Sequence, residues 1–260
     1  NNVNPDRGNL FQTGFRYAHL INRKTGIKVS GQFITADDWE YVDPFELEGP
    51  LAGARDFTSE RYGGDLRIDH RPTEDSEIVF AAGYNNLAKS IELTGLGAGQ
   101  ADGWAYQYAQ LRSRVGRFFA QAFINQSDAG DTYLLQTGQP ITDKSRMMAV
   151  QLQHGLDIGD RQSFIYGVDL QRTEPRTEGT ITGSNEDDDI IDEVGGYLHS
   201  ETALTDRLDL VAALRIDHHN RLEDLVFSPR AALVLTPREN QNLRVTFNRA
   251  FSTPTTNNLF

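Results

Sequence analysis

Cysteine is absent from the 260 residues, which removes a disulfide framework and a thiolate metal site from consideration. There is no long apolar run, and mean hydropathy is −0.51, so a transmembrane helix is excluded. A membrane barrel survives that test, because only alternate residues of its strands meet lipid. Positive charge is also scarce: 25 Lys and Arg stand against 37 Asp and Glu, a formal charge of −12. Nucleic acids and anionic membrane surfaces are bound by clustered cations, so this balance argues against both as partners. The opening residues, NNVNPDRGN, show neither a basic n-region nor an apolar h-region, so no signal peptide is read there.

What the chain does have is period-2 alternation. In VFSPRAALVLTPRENQNLRVTFNRAFSTP, Ala231, Leu233 and Leu235 alternate with Arg230, Ala232 and Val234. Leu243, Val245 and Phe247 alternate with Arg244, Thr246 and Asn248, and a breaker-rich Thr-Pro-Arg-Glu-Asn joins the two runs. This is a hairpin with one apolar face. Similar runs predict twelve strands, over roughly 9–19, 26–36, 60–71, 76–85, 103–113, 117–126, 145–156, 161–172, 194–204, 207–217, 226–236 and 241–251. A soluble sandwich would bury the apolar face, whereas a membrane barrel would turn it to lipid.

Connection lengths separate these options. Long gaps at about 36–59, 86–102, 127–144, 173–193 and 218–225 alternate with short turns such as SRVG, DIGD and TD. That is the pattern of an antiparallel up-and-down transmembrane barrel, with turns on the periplasmic side and loops outside. Strands of about ten residues suit a tilted crossing of the bilayer. Trp39, Tyr41, Trp104, Tyr106, Tyr108 and Tyr197 fall near strand ends, where an interfacial aromatic girdle is expected. Strand parity places both ends of the chain on the long-loop side, so it reads as a partial barrel, about twelve strands of a larger one.

The residues carry a family resemblance at this point. Ser228-Pro229-Arg230, followed by Asn248-Arg249-Ala250-Phe251 and Pro254, resembles the strand pair ending in N-R-A-F-x-x-P in the barrels of TonB-dependent outer-membrane receptors. YLHSETALTDRLDLVAALRIDHH is similar to the hairpin that precedes it in that family, and the likeness extends over nearly the whole chain. The resemblance implies a 22-stranded plugged barrel in the bacterial outer membrane, this chain supplying about the second to the thirteenth strand. Residues 1–260 are then one partial barrel domain, lacking the plug, TonB box, first strand and closing strands. It also implies energised import through the TonB complex, acting on the plug.

Clusters that suggest chemistry have simpler explanations. NEDDDIIDE, at 185–193, packs six carboxylates into nine residues; this reads as a solvated outer loop, with Ca²⁺ the alternative. Asp217 and His219 share a strand face while His218 points away, too few ligands for a metal. Gly95-Leu96-Gly97-Ala98-Gly99 has no helix after it, so it reads as a flexible outer loop and not a phosphate cradle. His199 and Ser200 are strand neighbours that point apart. No catalytic, metal or cofactor residue is therefore assigned. The candidate ligand-contact surface is the first long loop, with Asp37, Asp38, Trp39 and Tyr41.

The leading expectation is a segment of an active nutrient importer of the siderophore, cobalamin or oligosaccharide class, contributing wall and loops and no covalent chemistry. The alternatives are an outer-membrane barrel enzyme of the phospholipase type and a soluble β-rich carbohydrate-binding protein. The first would need a converging Ser–His pair. The second would be soluble without detergent.

Overall fold

The computed structural model describes residues 8–40, 54–181 and 189–252. Among these residues, thirteen strands form one antiparallel sheet. The first six are β1 (Leu10–Asn22), β2 (Thr25–Asp37), β3 (Thr58–His70), β4 (Ser76–Thr94), β5 (Gly97–Val115) and β6 (Phe118–Asp128). A two-residue β7 (Tyr133–Leu134) pairs only with β5. Then come β8 (Arg146–Ile158), β9 (Gln162–Glu174), β10 (Ile191–Thr205), β11 (Leu208–His219), β12 (Val226–Arg238) and β13 (Gln241–Asn248). Apart from β7, each strand pairs with its neighbours in sequence, and among the described residues β1 and β13 are open edges. All twelve expected strands are present, in an unclosed up-and-down sheet.

Cross-strand register sorts the side chains into two faces. One row runs Val29, Leu66, Ala82, Ala109, Ile124 and Met148 across six consecutive path strands. Another joins Leu198, Leu214, Tyr166 and His154, and a third joins Leu210, Leu233 and Val245. This apolar face is left bare: Leu198 is 49 % and Leu233 46 % exposed. Water would penalise it by about 25 cal/mol per Å², a penalty that hydrocarbon removes. The opposite face carries Arg67, Asp169, Gln171, Arg215 and their neighbours. The short connections are tight. Gly116 adopts φ +56 in the two-residue turn between Val115 and Phe118, a region that a Cβ disfavours.

Two expectations need correction. Residues 86–102 are not a flexible loop, because β4 and β5 each run for 19 residues and continue as a hairpin through this stretch, with Ser90 opposite Ala101 and Leu93 opposite Ala98. The segment after β6 folds back onto this extension. Leu135 N donates to Ala98 O at 2.9 Å, and Ala101, Ala129, Leu135 and Ile141 are each 3 % exposed or less. Small residues at Gly97, Ala98, Gly99 and Ala101 let the second layer approach, so what reads as a loop is a packing surface. The aromatic girdle is also revised. The Tyr108 hydroxyl donates to Asp65 and the Tyr197 hydroxyl to Gln153, while Trp104 Nε1 donates to Ser127 Oγ at 2.9 Å. These rings lie on the polar face, each near a hydrogen-bond acceptor, rather than at a lipid interface.

Candidate functional site

The polar face is organised around side chains that reach over a strand. Adjacent strands lie about 4.8 Å apart, so a bond between strands one removed requires a long side chain lying flat over the middle one. Only a residue without Cβ leaves that path open. Asp169, Gly195 and Asp217 form one register row on β9, β10 and β11. Arg215 crosses β10 at Gly195, and its Nη1 donates to Asp169 Oδ2 at 2.5 Å while its Nε donates to Asp217 Oδ1 at 2.9 Å. A Cβ on Gly195 would collide with Arg215 Nη2. The same device recurs twice. Tyr197 crosses Gly167 to bond Gln153 at 2.8 Å, and Tyr108 crosses Gly83 to bond Asp65 at 2.9 Å. Arg215 also sits 5.9 Å from the Tyr197 ring centroid, a cation–π contact that ties two of these crossings together.

A cavity of about 630 Å³ opens on this face, lined by Gln151, Asp169, Gln171, Glu193, Arg215 and His219, with Ser228 and Phe251 at its β12 side. Gln171 Nε2 donates to Glu193 Oε2 at 2.7 Å. His219, 4 % exposed, lies with Nε2 3.8 Å from Glu193 Oε1, and its Nδ1 accepts from Arg221 N at 3.0 Å. The lining combines carboxylates, amides, a guanidinium and a hydroxyl. Such a wall suits a polar group offering both donors and acceptors. Among the described residues, no group of three or more His, Cys, Asp or Glu side chains is arranged to hold a metal ion.

The residues singled out from sequence fall into two places. Arg230 stands opposite Asn248, and Arg249 N donates to Pro229 O at 3.0 Å, so the two halves of the Ser-Pro-Arg and Asn-Arg-Ala-Phe pattern lie side by side. Ser228 and Phe251 reach the cavity; Pro254 lies outside the described residues. Asp37, Asp38 and Trp39 stand at the far end of the sheet, where Asp37 accepts from Asn9 Nδ2 at 3.1 Å and Trp39 is 79 % exposed. Tyr41 lies outside the described residues. The structure does not bring this cluster together with the cavity, and Asp169, Gly195 and Arg215 went unassigned in the sequence. Their signal was there: a glycine between long polar residues on neighbouring strands, visible only once register is known.

The acidic segment divides differently from expectation. Residues 185–188 lie outside the described set. Asp189 is 2 % exposed, and Ile191 to Glu193 form the start of β10, with Asp192 Oδ1 3.3 Å from Arg172 Nε. Its second half is thus sheet, held by ladder bonds and ion pairs. Just before β3, outside the strands, Asp56 has its Oδ2 2.6 Å from Nζ of Lys89 on β4, which holds the Asp56 carboxyl below its ordinary range.

A bare apolar face, a polar face with crossing side chains and alternating short and long connections define the wall of a transmembrane β-barrel. Residues 3–260 match the family model described as TonB dependent receptor-like, beta-barrel. The chain belongs to that family. No curated relative matches the sequence. Among solved structures, the siderophore receptor PirA from Pseudomonas aeruginosa aligns at 13 % identity and TM-score 0.63, over 95 % of this chain and 40 % of its own. A ferric enterobactin receptor mutant from the same organism, solved with enterobactin, aligns at 13 % identity and TM-score 0.65, over 97 % and 43 %. A copper transporter, OprC, aligns at 16 % identity and TM-score 0.59, over 96 % and 45 %. At such identities the likeness is one of fold. The chain spans less than half the length of each of these structures.

Proposed function

We propose that this chain is the barrel-wall segment of a TonB-dependent outer-membrane receptor that imports a scarce nutrient of the siderophore, cobalamin or oligosaccharide class. The observation that carries the reading is the division of the sheet: an exposed apolar face backed by a polar face with a ligand-sized cavity. A receptor of this kind contributes walls and loops and no covalent chemistry. An N-terminal plug linked to the TonB complex and further closing strands complete it. The open edges at β1 and β13 support this, since unpaired strand groups in hydrocarbon cost several kcal/mol each.

Asp37, Asp38, Trp39 and Tyr41 are proposed to meet ligand on the outer rim, and the Arg215 cavity to meet a polar partner inside. The test is accumulation of candidate ligands in cells carrying the whole receptor, with and without the inner-membrane energising complex. Uptake is expected only with the complex. Uptake that persists without it, or uptake by residues 1–260 alone, would remove TonB-dependent transport as the function.

A further inference from the structure

Two register rows meet in the cavity on the polar face. Gln151, Asp169, Gly195 and Asp217 form one, and Gln171, Glu193 and His219 form the next towards the long loops. Arg215 and Ser228 are register partners on β11 and β12 at its other side. Charge restricts what this lining admits. Its charged side chains are three carboxylates, Asp169, Glu193 and Asp217, and one guanidinium, Arg215. Each of the three Arg215 nitrogens already faces a carboxylate. Nη1 donates to Asp169 Oδ2, Nε to both Asp217 oxygens, and Nη2 lies 2.8 Å from Asp217 Oδ1. Arg221, in the adjoining turn, directs its Nη2 to Ile190 O at 3.1 Å. An anionic ligand would therefore meet carboxylates, and the one cation of the lining is already paired.

Two further observations point to hydroxyl groups as the complement. The His219 side chain is 4 % exposed, and its Nδ1 accepts from Arg221 N, which puts the proton of the neutral ring on Nε2. That Nε2–H stands 3.8 Å from Glu193 Oε1. The pair is too far apart to bond directly, and is spaced for one hydroxyl to accept from the ring and donate to the carboxylate. Ser228 Oγ, in turn, is buried with no hydrogen-bond partner among the described residues, a cost to stability that a bound partner removes. Gln151 and Gln171 add amide donors and acceptors, and Phe251 adds an aromatic face.

We propose that this cavity binds a neutral sugar ring, so that the receptor's ligand is an oligosaccharide and not an anionic iron chelate. The inference rests on reading the chain as the wall of a nutrient receptor, and chooses among the ligand classes of that reading. A sugar ring carries hydroxyls around its edge, each both donor and acceptor, and C–H groups on its faces that suit Phe251. It meets the carboxylates, the amides, His219 and Ser228 without adding charge. A cavity of about 630 Å³ is of the size that holds a small ligand.

The whole receptor, in detergent, is titrated by calorimetry with neutral trisaccharides of glucose, galactose, mannose and xylose, with a trisaccharide of galacturonate, and with a ferric tris-catecholate. Wild type is expected to bind at least one neutral trisaccharide and neither anion. Ser228→Ala removes a hydroxyl that has no partner in the wall, so it should fold as wild type and bind that sugar about fivefold more weakly. Glu193→Gln keeps the shape of the wall and should weaken binding by about tenfold, since a charged acceptor is lost. Binding of no neutral trisaccharide, or equal or tighter binding of either anion, overturns the proposal. Sugar binding that both variants retain at wild-type strength overturns it too, because the sugar then sits elsewhere. Accumulation in cells separates the sugar from the receptor reading beneath it. Import of the ferric complex that requires the inner-membrane energising complex leaves the receptor standing and removes the sugar. Sugar uptake that ignores the energising complex removes the receptor reading and leaves the cavity assignment to the two variants.

Discussion

Arg215 bonds Asp169 at 2.5 Å although their strands are not neighbours. The intervening strand β10 presents Gly195 at the crossing point, in register with Asp169 on one side and Asp217 on the other. The glycine is therefore selected by what lies above it and not by backbone conformation, since its φ is not positive. With the Tyr197 and Tyr108 crossings, this links strands one removed by bonds that the ladder itself does not supply. Such links stiffen the wall across strands that the ladder joins only to their immediate neighbours.

Gly195→Ala is expected to destabilise folding into lipid vesicles by about 1–3 kcal/mol, the range for overfilling a packed site. Its neighbour Gly196 is the internal control. A Cβ there finds nothing nearer than Gly167 O at 4.0 Å, so Gly196→Ala should change stability by no more than about 0.5 kcal/mol. Similar penalties for the two would mean that the crossing does not constrain position 195.

Leu233 lies on the apolar face in register with Leu210 and Val245, and Thr246 lies opposite Ala232 on the other face. Leu233→Arg should cost about 2–4 kcal/mol if the position is near the bilayer midplane. Thr246→Arg should cost clearly less. Equilibrium folding into vesicles measures both, and equal penalties would reverse the assignment of faces.

How far the sequence could be read depended on the range of the interactions. Alternation such as Leu208, Leu210, Ala212 and Leu214 is a local signal, and it located every path strand and its apolar face. The 97–101 stretch misled because Gly97, Ala98 and Gly99 are poor strand formers in isolation, yet their smallness admits Leu135 and Ile141. Trp104, Tyr108 and Tyr197 were assigned by nearness to strand ends when parity within the strand decides the face. Asp169 and Arg215 are 46 residues apart, so nothing short of the register of three strands could join them.

Asp56 offers a pH readout outside the strands. Its side chain accepts from Lys89 and from Thr58 N, and Asp56 N donates to Gln100 Oε1 at 2.9 Å. Its carboxyl is held low chiefly by the Lys89 hydrogen bond, with the Thr58 amide next. A depressed carboxyl contributes stability that is present above its ordinary pKa and lost as pH falls through the folded value. Exchange of the Thr58 amide, corrected for intrinsic rate, should be protected at pH 7 and accelerate below about pH 4. Lys89→Gln should shift that onset to higher pH; an unshifted onset would show that the ion pair does not hold this segment.

Gly130 tests whether the layer over the β4–β5 extension docks independently of the wall. Its φ is +58, and a Cβ would press on Asp102 O and lie 2.8 Å from Gly103 O. Alanine must therefore both enter a backbone region disfavoured by roughly 1–2 kcal/mol and displace main-chain atoms. The neighbouring Asp131 N bonds Asp102 O at 2.9 Å, and Leu135 N bonds Ala98 O at 2.9 Å. Gly130→Ala should accelerate exchange at the Asp131 and Leu135 amides by tenfold or more, about 1.4 kcal/mol on the exchange scale. Amides of β8 and β9, which are bonded within the wall, should keep their protection. Loss of protection throughout the sheet would mean that this layer and the wall fold as one cooperative unit, and that the outer hairpin supports the barrel instead of resting on it.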